Sequence, residues 1–200
     1  MADLLDAERR LWNAGYERIA GLDEAGRGCL AGPVVASAVI LPKGVHIESI
    51  QDSKSLSAAQ REDAREEIEA KALTVALGIC SPQEIDELNI LWAAIKAMRR
   101  AATDCTPAPD YLLVDGNRFV DDTPWPYETV VKGDASSQSI AAASIIAKTS
   151  RDAMMRELHT QYPAYGWDSN VGYPTQGHYA ALDAHGPTPY HRQSFKLAQD

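Results

Sequence analysis

IAGLDEAGRGCLAGPVVASAVIL, residues 19–41, is the stretch from which the architecture is read. Residues 18–23 run as a strand that ends on a carboxylate, and Gly26, Gly28 and Gly32 break it. Residues 33–41 follow as a β-branched, almost wholly apolar run, the pattern of a strand buried on both faces. GRGCLAG is not a dinucleotide fingerprint, because it lacks the G-x-G-x-x-G spacing and a strand follows where a helix should. The stretch therefore predicts a sheet with an acid pair, Asp23-Glu24, where a strand gives way to a glycine-rich turn.

Outward from it, residues 4–14 have apolar positions at helical spacing, which predicts a short flanking helix within about residues 1–17. Ser57 is placed to cap a helix over 58–71, and residues 74–79 read as a third strand. Pro82 opens a helix over 83–102, ended by the loop at 106–109. Residues 111–114 form a short strand that runs into Asp115, and 127–132 form another. A long helix is expected over 137–158, its first half small and apolar enough to be buried. Beyond the turn near Gly166, two shorter helices over 174–184 and 192–198 make a C-terminal helical segment, about residues 166–200. This order predicts one mixed α/β domain over residues 1–200 with a central sheet. It does not alternate cleanly, which disfavours a doubly wound fold.

Composition narrows the class. No apolar run approaches the ~20 residues that span a bilayer, and the charged N-terminal stretch lacks the apolar core of a secretory signal. A membrane role is not expected. Cys29, Cys80 and Cys105 are odd in number, widely spaced and without a Cys-x-x-Cys pair, so reduced thiols in a cytoplasmic protein are expected. The net charge is −9, which by itself argues mildly against a nucleic-acid partner. Its distribution matters more. Residues 1–131 carry 13 Lys and Arg against 22 Asp and Glu, whereas residues 132–200 carry 6 of each. A duplex binder of this composition needs a local basic path, and cations to offset its acids.

Four acids sit where the chain changes direction: Asp23, Glu24, Asp115 and Asp134. Asp23 and Asp115 each follow an apolar strand, and Asp134 follows residues 127–132 by one glycine. Carboxylates converging at strand ends repel one another unless a cation compensates. Hard divalent ions with oxygen preference suit such a set, and two of them support in-line phosphoryl transfer. Taken singly, each aspartate reads better as a turn residue or cap, and Asp134 is placed to cap the helix near Ser137; the four together, with Asp23-Glu24 beside a glycine cluster, favour the functional reading.

Other candidates surround these acids. The glycines beside Arg27 permit close backbone approach to a phosphate or ribose, while a tight turn with an exposed arginine accounts for them nearly as well. Lys148 and Arg151 share a helix face, for substrate or as a solvent face paired with Asp152 or Glu157. His178, His185 and His191 match no zinc spacing, which points to surface or supporting roles. In GYPTQGH, Gly172 and Pro174 flank Tyr173; taken alone it reads first as a core tyrosine at a helix start, and as the alternative a held aromatic suited to stacking on a base or testing for a 2′-OH.

Together these blocks resemble the ribonuclease HII family. The shared text is IAGLDEAGRGCLAGPVVASAVIL, DSKSLS, LLVDGN, VVKGDASSQSIAAASIIAKTSRD, GYPTQGH and HGPTPYHRQSF, in order from Ile19 to Phe195. The resemblance implies an RNase H-like fold, a five-stranded mixed sheet flanked by helices with a C-terminal helical segment. It implies cleavage of RNA in RNA–DNA hybrids and incision 5′ to single ribonucleotides in duplex DNA, leaving 3′-hydroxyl and 5′-phosphate ends. Such an activity belongs to ribonucleotide excision repair. By position, Asp23, Glu24, Asp115 and Asp134 would be catalytic acids binding Mn²⁺ or Mg²⁺. Gly26, Arg27 and Gly28 would read the 2′-OH, Tyr173 would sense the RNA-to-DNA junction, and Lys54, Lys148 and Arg192 would lie near the substrate path. A monomer is expected. Cys29 departs from the family, which commonly has proline there. The related type III enzymes carry an extra N-terminal domain, and Ile19 comes too early for one. Another metal nuclease of the same fold and a non-catalytic hybrid-binding module are the alternatives.

Overall fold

The computed structural model describes residues 4–50 and 56–198. A five-stranded sheet of order β3-β2-β1-β4-β5 is its centre. Its strands are β1 (Ile19–Ala25), β2 (Val34–Ile40), β3 (Thr74–Cys80), β4 (Tyr111–Asp115) and β5 (Tyr127–Val130). The first three pair antiparallel, whereas β1–β4 and β4–β5 are parallel, so the expected mixed sheet is present. Every residue of β2 is buried, because helices cover both faces of the central strands.

Among the described residues seven α-helices accompany the sheet: α1 (Asp6–Asn13), α2 (Ala58–Lys71), α3 (Pro82–Leu88), α4 (Ile90–Asp104), α5 (Gln138–Gln161), α6 (Trp167–Asn170) and α7 (Gln176–His185). One apolar cluster joins Ala20, Leu22, Ala36 and Ala38 to Ala94, Met98 and Ala101 of α4. A second, on the opposite face, joins Val39 to Ile68 of α2 and to Ala142 and Ile146 of α5. The α5 contact is very close: a β-carbon on Gly21 would lie 2.1 Å from the Ser139 carbonyl carbon. Glycine at 21 thus brings the buried helix against the strand that carries the acid pair.

Two expected elements differ. The helix expected over 83–102 is two helices, split at Asn89, which adopts φ 64°. Asparagine adopts positive φ more readily than most residues, and its side chain caps α4 by accepting the Leu91 and Trp92 N–H groups. The helix expected over 192–198 does not form. Its backbone donors are taken by tertiary acceptors: Arg192 N–H bonds Leu30 O, and the Asp86 carboxylate accepts from Gln193 and Ser194 N–H.

Candidate active site

The parallel register of β1 and β4 ends at Leu22 opposite Val114, so Asp23 and Asp115 lie side by side just past that pairing, each still paired to its outer neighbour, Asp23 to Ser37 and Asp115 to Val130. Asp23 is 7% exposed and accepts the Glu24 N–H at 2.7 Å. Asp115 Oδ1 accepts the Gly133 N–H at 2.7 Å. Gly133 opens the single 3₁₀ turn Gly133–Ala135 that carries half-buried Asp134 one residue from that bond. Asp134 does not cap α5, since Ser137 does so by accepting the Ile140 N–H.

Burial, and then the Glu24 charge, push the Asp23 carboxyl well above the usual carboxylate range; the Ser144 hydroxyl opposes this and Asp115 adds to it. Burial also raises Glu24, against the downward pull of Arg27, whose guanidinium bonds Glu24 Oε1 at 3.1 Å. Ser144 was not a candidate from sequence. The signal available was one hydroxyl inside the buried run AAASIIA, and the close β1–α5 approach at Gly21 places it against Asp23.

Do these residues suit a hard cation? The donors are all oxygen, the class that Mn²⁺ and Mg²⁺ prefer. Glu24 Oε2 is buried without a hydrogen-bond partner among the described residues, and so is the Ser37 hydroxyl, cross-strand from Asp23. Buried polar atoms are ordinarily satisfied. Among the described residues no three or more His, Cys, Asp or Glu side chains are grouped as a metal-ligand set. The fit rests instead on donor chemistry, the orphaned carboxylate oxygen and the mutual repulsion of Asp23, Glu24 and Asp115.

Beside the acids lies a cleft of about 300 Å³ to which Glu24, Gly26, Arg27, Gly28, Lys148 and Tyr173 contribute. Gly26 is obligatory, because it adopts φ +97° and a β-carbon would meet Arg151 Nε at 2.0 Å. At Gly28 a β-carbon would meet nothing within 4 Å, so packing does not account for glycine there. Tyr173 is 41% exposed, with Lys148 Nζ 5.7 Å from its ring centroid. It is therefore a presented ring and not the core tyrosine that the residue taken alone suggests. Lys54 lies outside the described residues.

Lys148 pairs with Asp152 at 2.7 Å, as one reading of that helix face anticipated. Arg151 does not share the solvent face: it is 1% exposed and bonds Pro33, Val171 and Ala31 carbonyls. Arg192 is fully buried beneath the glycine-rich loop and bonds Gly26, Arg27, Gly32 and Pro33 carbonyls. Backbone oxygens thus solvate two buried guanidiniums, and positive charge underlies the cleft of a strongly acidic chain.

His178 and His191 are both buried, whereas His185 is exposed. Their bonds determine the tautomers. Thr188 N–H donates to His191 Nδ1, so the ring proton of His191 is on Nε2. That proton points at His178 Nε2, 3.0 Å away, which also accepts from Trp167 Nε1–H. His178 Nδ1–H donates to the Tyr173 carbonyl at 2.9 Å. Burial lowers both imidazoles, and the His178 neighbour helps to hold His191 at about 4. Because the folded value lies below the unfolded ~6.5, His191 favours the fold above that pH, and the contribution is lost as pH falls towards about 4. Between pH 7 and pH 5, wild-type protein is expected to lose about 2 kcal/mol more than His191→Gln. Urea unfolding at the two pH values checks this, and equal losses in the two proteins would refute it.

The pattern of the family described as Ribonuclease HII matches residues 20–198. The ribonuclease HII of Salinibacter ruber is 66% identical over 200 residues, covering 98% of this chain and 100% of that protein. That of Bacteroides thetaiotaomicron is 55% identical over 181 residues, 90% of each. Among solved structures, a chain of the PCNA:RNase HII complex from Archaeoglobus fulgidus superposes with a TM-score of 0.77 at 25% identity, covering 92% of this chain and 97% of that one. Bst-RNase HIII in complex with Mn²⁺ gives a TM-score of 0.65 at 17% identity over 90% and 68%, a likeness of fold alone.

Proposed function

The chain belongs to the ribonuclease HII family, and from that premise we propose a metal-dependent endonuclease that incises DNA duplexes 5′ to an embedded ribonucleotide and cuts the RNA strand of RNA–DNA hybrids. The observation that carries the reading is the juxtaposition of mutually repelling Asp23, Glu24 and Asp115, the first buried and the other two half-buried, with a glycine-lined cleft.

Asp23, Glu24 and Asp115, with Asp134 beside them, would hold the cations. Bound there, Mn²⁺ or Mg²⁺ would compensate the acids and supply Lewis-acid activation for in-line hydrolysis, with 3′-hydroxyl and 5′-phosphate products. Arg27 fixes Glu24 through its guanidinium while its own carbonyl is fixed by Arg192, so the acid and the loop move as one unit. Gly26 brings backbone into the cleft, and Gly28 keeps the opposite approach clear for a sugar. Tyr173 offers an exposed ring for the nucleotide at the junction, and Lys148 beside it supplies charge for a phosphate.

The direct test is an end-labelled duplex with one ribonucleotide, incubated with Mn²⁺, Mg²⁺ or chelator, and the cut mapped to the nucleotide. A metal-requiring incision 5′ to the ribonucleotide is expected; comparable cutting of all-DNA duplex would overturn the reading. Tyr173→Ala is expected to lower cleavage of this substrate about 30-fold while duplex affinity changes less than about threefold, as loss of a positioning contact should. Equal losses of binding and turnover would remove the junction role of Tyr173.

A further inference from the structure

The C-terminal segment and the glycine-rich loop are bound to each other backbone to backbone. Ala31 bridges His191, Gly32 N–H bonds Tyr190 O, and Arg192 N–H bonds Leu30 O. Leu30 N–H bonds Gly172 O, and a β-carbon on Gly172 would lie 2.6 Å from Ala31 O. Tyr173 therefore projects from a strip of chain pressed directly on the loop. From the other side the histidine pair holds that strip, through the bond from His178 Nδ1 to the Tyr173 carbonyl, which also accepts the Thr175 N–H of the local turn.

We infer that His178 and His191 are positioning residues: the neutral imidazole pair fixes Tyr173 through its carbonyl, in the same buried frame in which Arg192 fixes the Gly26 and Arg27 carbonyls. The inference rests on the reading of Tyr173 given above. Each proton in the pair has one destination. His191 is oriented by Thr188, His178 by His191 and Trp167, and the remaining His178 proton has the Tyr173 carbonyl as its acceptor. Reversing either tautomer would set two donors or two acceptors against each other. His191 and Arg192 are neighbours in sequence, so the element that orients the imidazoles also places the guanidinium under the loop. Ring and loop are set at a common spacing, which matters because small misplacements at a reacting centre are costly in rate.

The test compares wild type, His178→Leu, which removes both ring nitrogens, and His178→Asn, whose amide can replace the Nδ1 donor. Two measurements are made on each: amide hydrogen exchange of Gly172, Tyr173 and Thr175, and kcat and KM on the single-ribonucleotide duplex at saturating Mn²⁺. In His178→Leu, local exchange is expected to rise and kcat to fall about tenfold with KM within about twofold, while the β1 and β4 amides stay protected. His178→Asn is expected to restore both to within about threefold of wild type. Unchanged exchange in the leucine variant overturns the inference, as does raised exchange with unchanged kcat. Loss of protection in β1 and β4 would identify a general folding defect, leaving the asparagine variant to decide; failure of that variant to recover kcat when folded also overturns the inference. A wild-type protein that leaves the duplex uncut would sink the functional reading alone, since exchange still reports whether the pair holds Tyr173.

Discussion

Asp115→Asn and Asp23→Asn are each expected to reduce cleavage of a single-ribonucleotide duplex by about 10³-fold or more, even in saturating Mn²⁺, without reducing the stability of the metal-free protein. A loss of that size corresponds to roughly 4 kcal/mol of transition-state stabilisation, the scale expected on removing one oxygen ligand from the proposed cation site. The stability expectation is what separates a functional acid from a structural one. Burial and the Glu24 charge raise the Asp23 pKa, so its carboxylate opposes folding at neutral pH and becomes neutral as pH falls. Asparagine removes that opposition while keeping the side-chain size. A structural aspartate behaves in the opposite way, with a depressed pKa and a stability cost when replaced. Urea unfolding in chelator together with single-turnover cleavage reads both quantities. Near-normal cleavage by either variant, or a loss of several kcal/mol in stability, would show that these acids are not metal ligands.

Arg192→Met is expected to cost about 3–5 kcal/mol of stability and to abolish most cleavage. Methionine keeps much of the stem but strands the carbonyls of Gly26, Arg27, Gly32 and Pro33, which the guanidinium bonds at 2.7–3.2 Å. Each buried acceptor left without a donor costs roughly 1–3 kcal/mol, reduced where a second donor remains, as Arg151 does at Pro33. Burial and the nearby Arg151 charge lower Arg192 to about 10, so it stays protonated at neutral pH. Lysine retains the charge and offers a single ammonium where a planar fork spans four oxygens, so Arg192→Lys should recover less than half of the lost stability. Denaturant titrations of the two variants test this; a loss below about 1 kcal/mol in Arg192→Met would mean that the loop is held by its other contacts.

These two positions show where legibility ended. The strands carrying Asp23 and Asp115 were readable because an apolar run that stops at a carboxylate is a local pattern, and hydrophobic periodicity is local. Gly172 and Pro174 beside Tyr173 are local signals of a held aromatic, but its exposure is not local, and taken alone the residue reads as a core tyrosine. Arg192 was placed near the substrate path only through the family resemblance, and its segment was expected to be helical. Its partners are distant in sequence, with Gly26 separated from it by 166 residues. Arg151 was left between two readings for the same reason, since its carbonyl partners Pro33 and Ala31 belong to a loop far earlier in the chain. The break at Asn89 lies between these cases, because a capping asparagine is visible locally but its positive φ is not.

The order of residues alone encodes a mixed sheet, acids that follow the apolar runs of two of its strands, and a glycine-flanked arginine after the first acid pair, although β1 continues past its acids to Ala25. Each of these follows from the order of apolar, acidic and glycine residues over a few positions. Only the tertiary structure decided that Leu22 and Val114 end one parallel register and set Asp23 beside Asp115. It alone decided that Ser144 faces the acids, and that a neutral histidine pair and two buried arginines brace the cleft from below. Such decisions depend on donors and acceptors that meet across the whole chain in low dielectric, where an unpaired polar group is expensive and one arrangement satisfies them together.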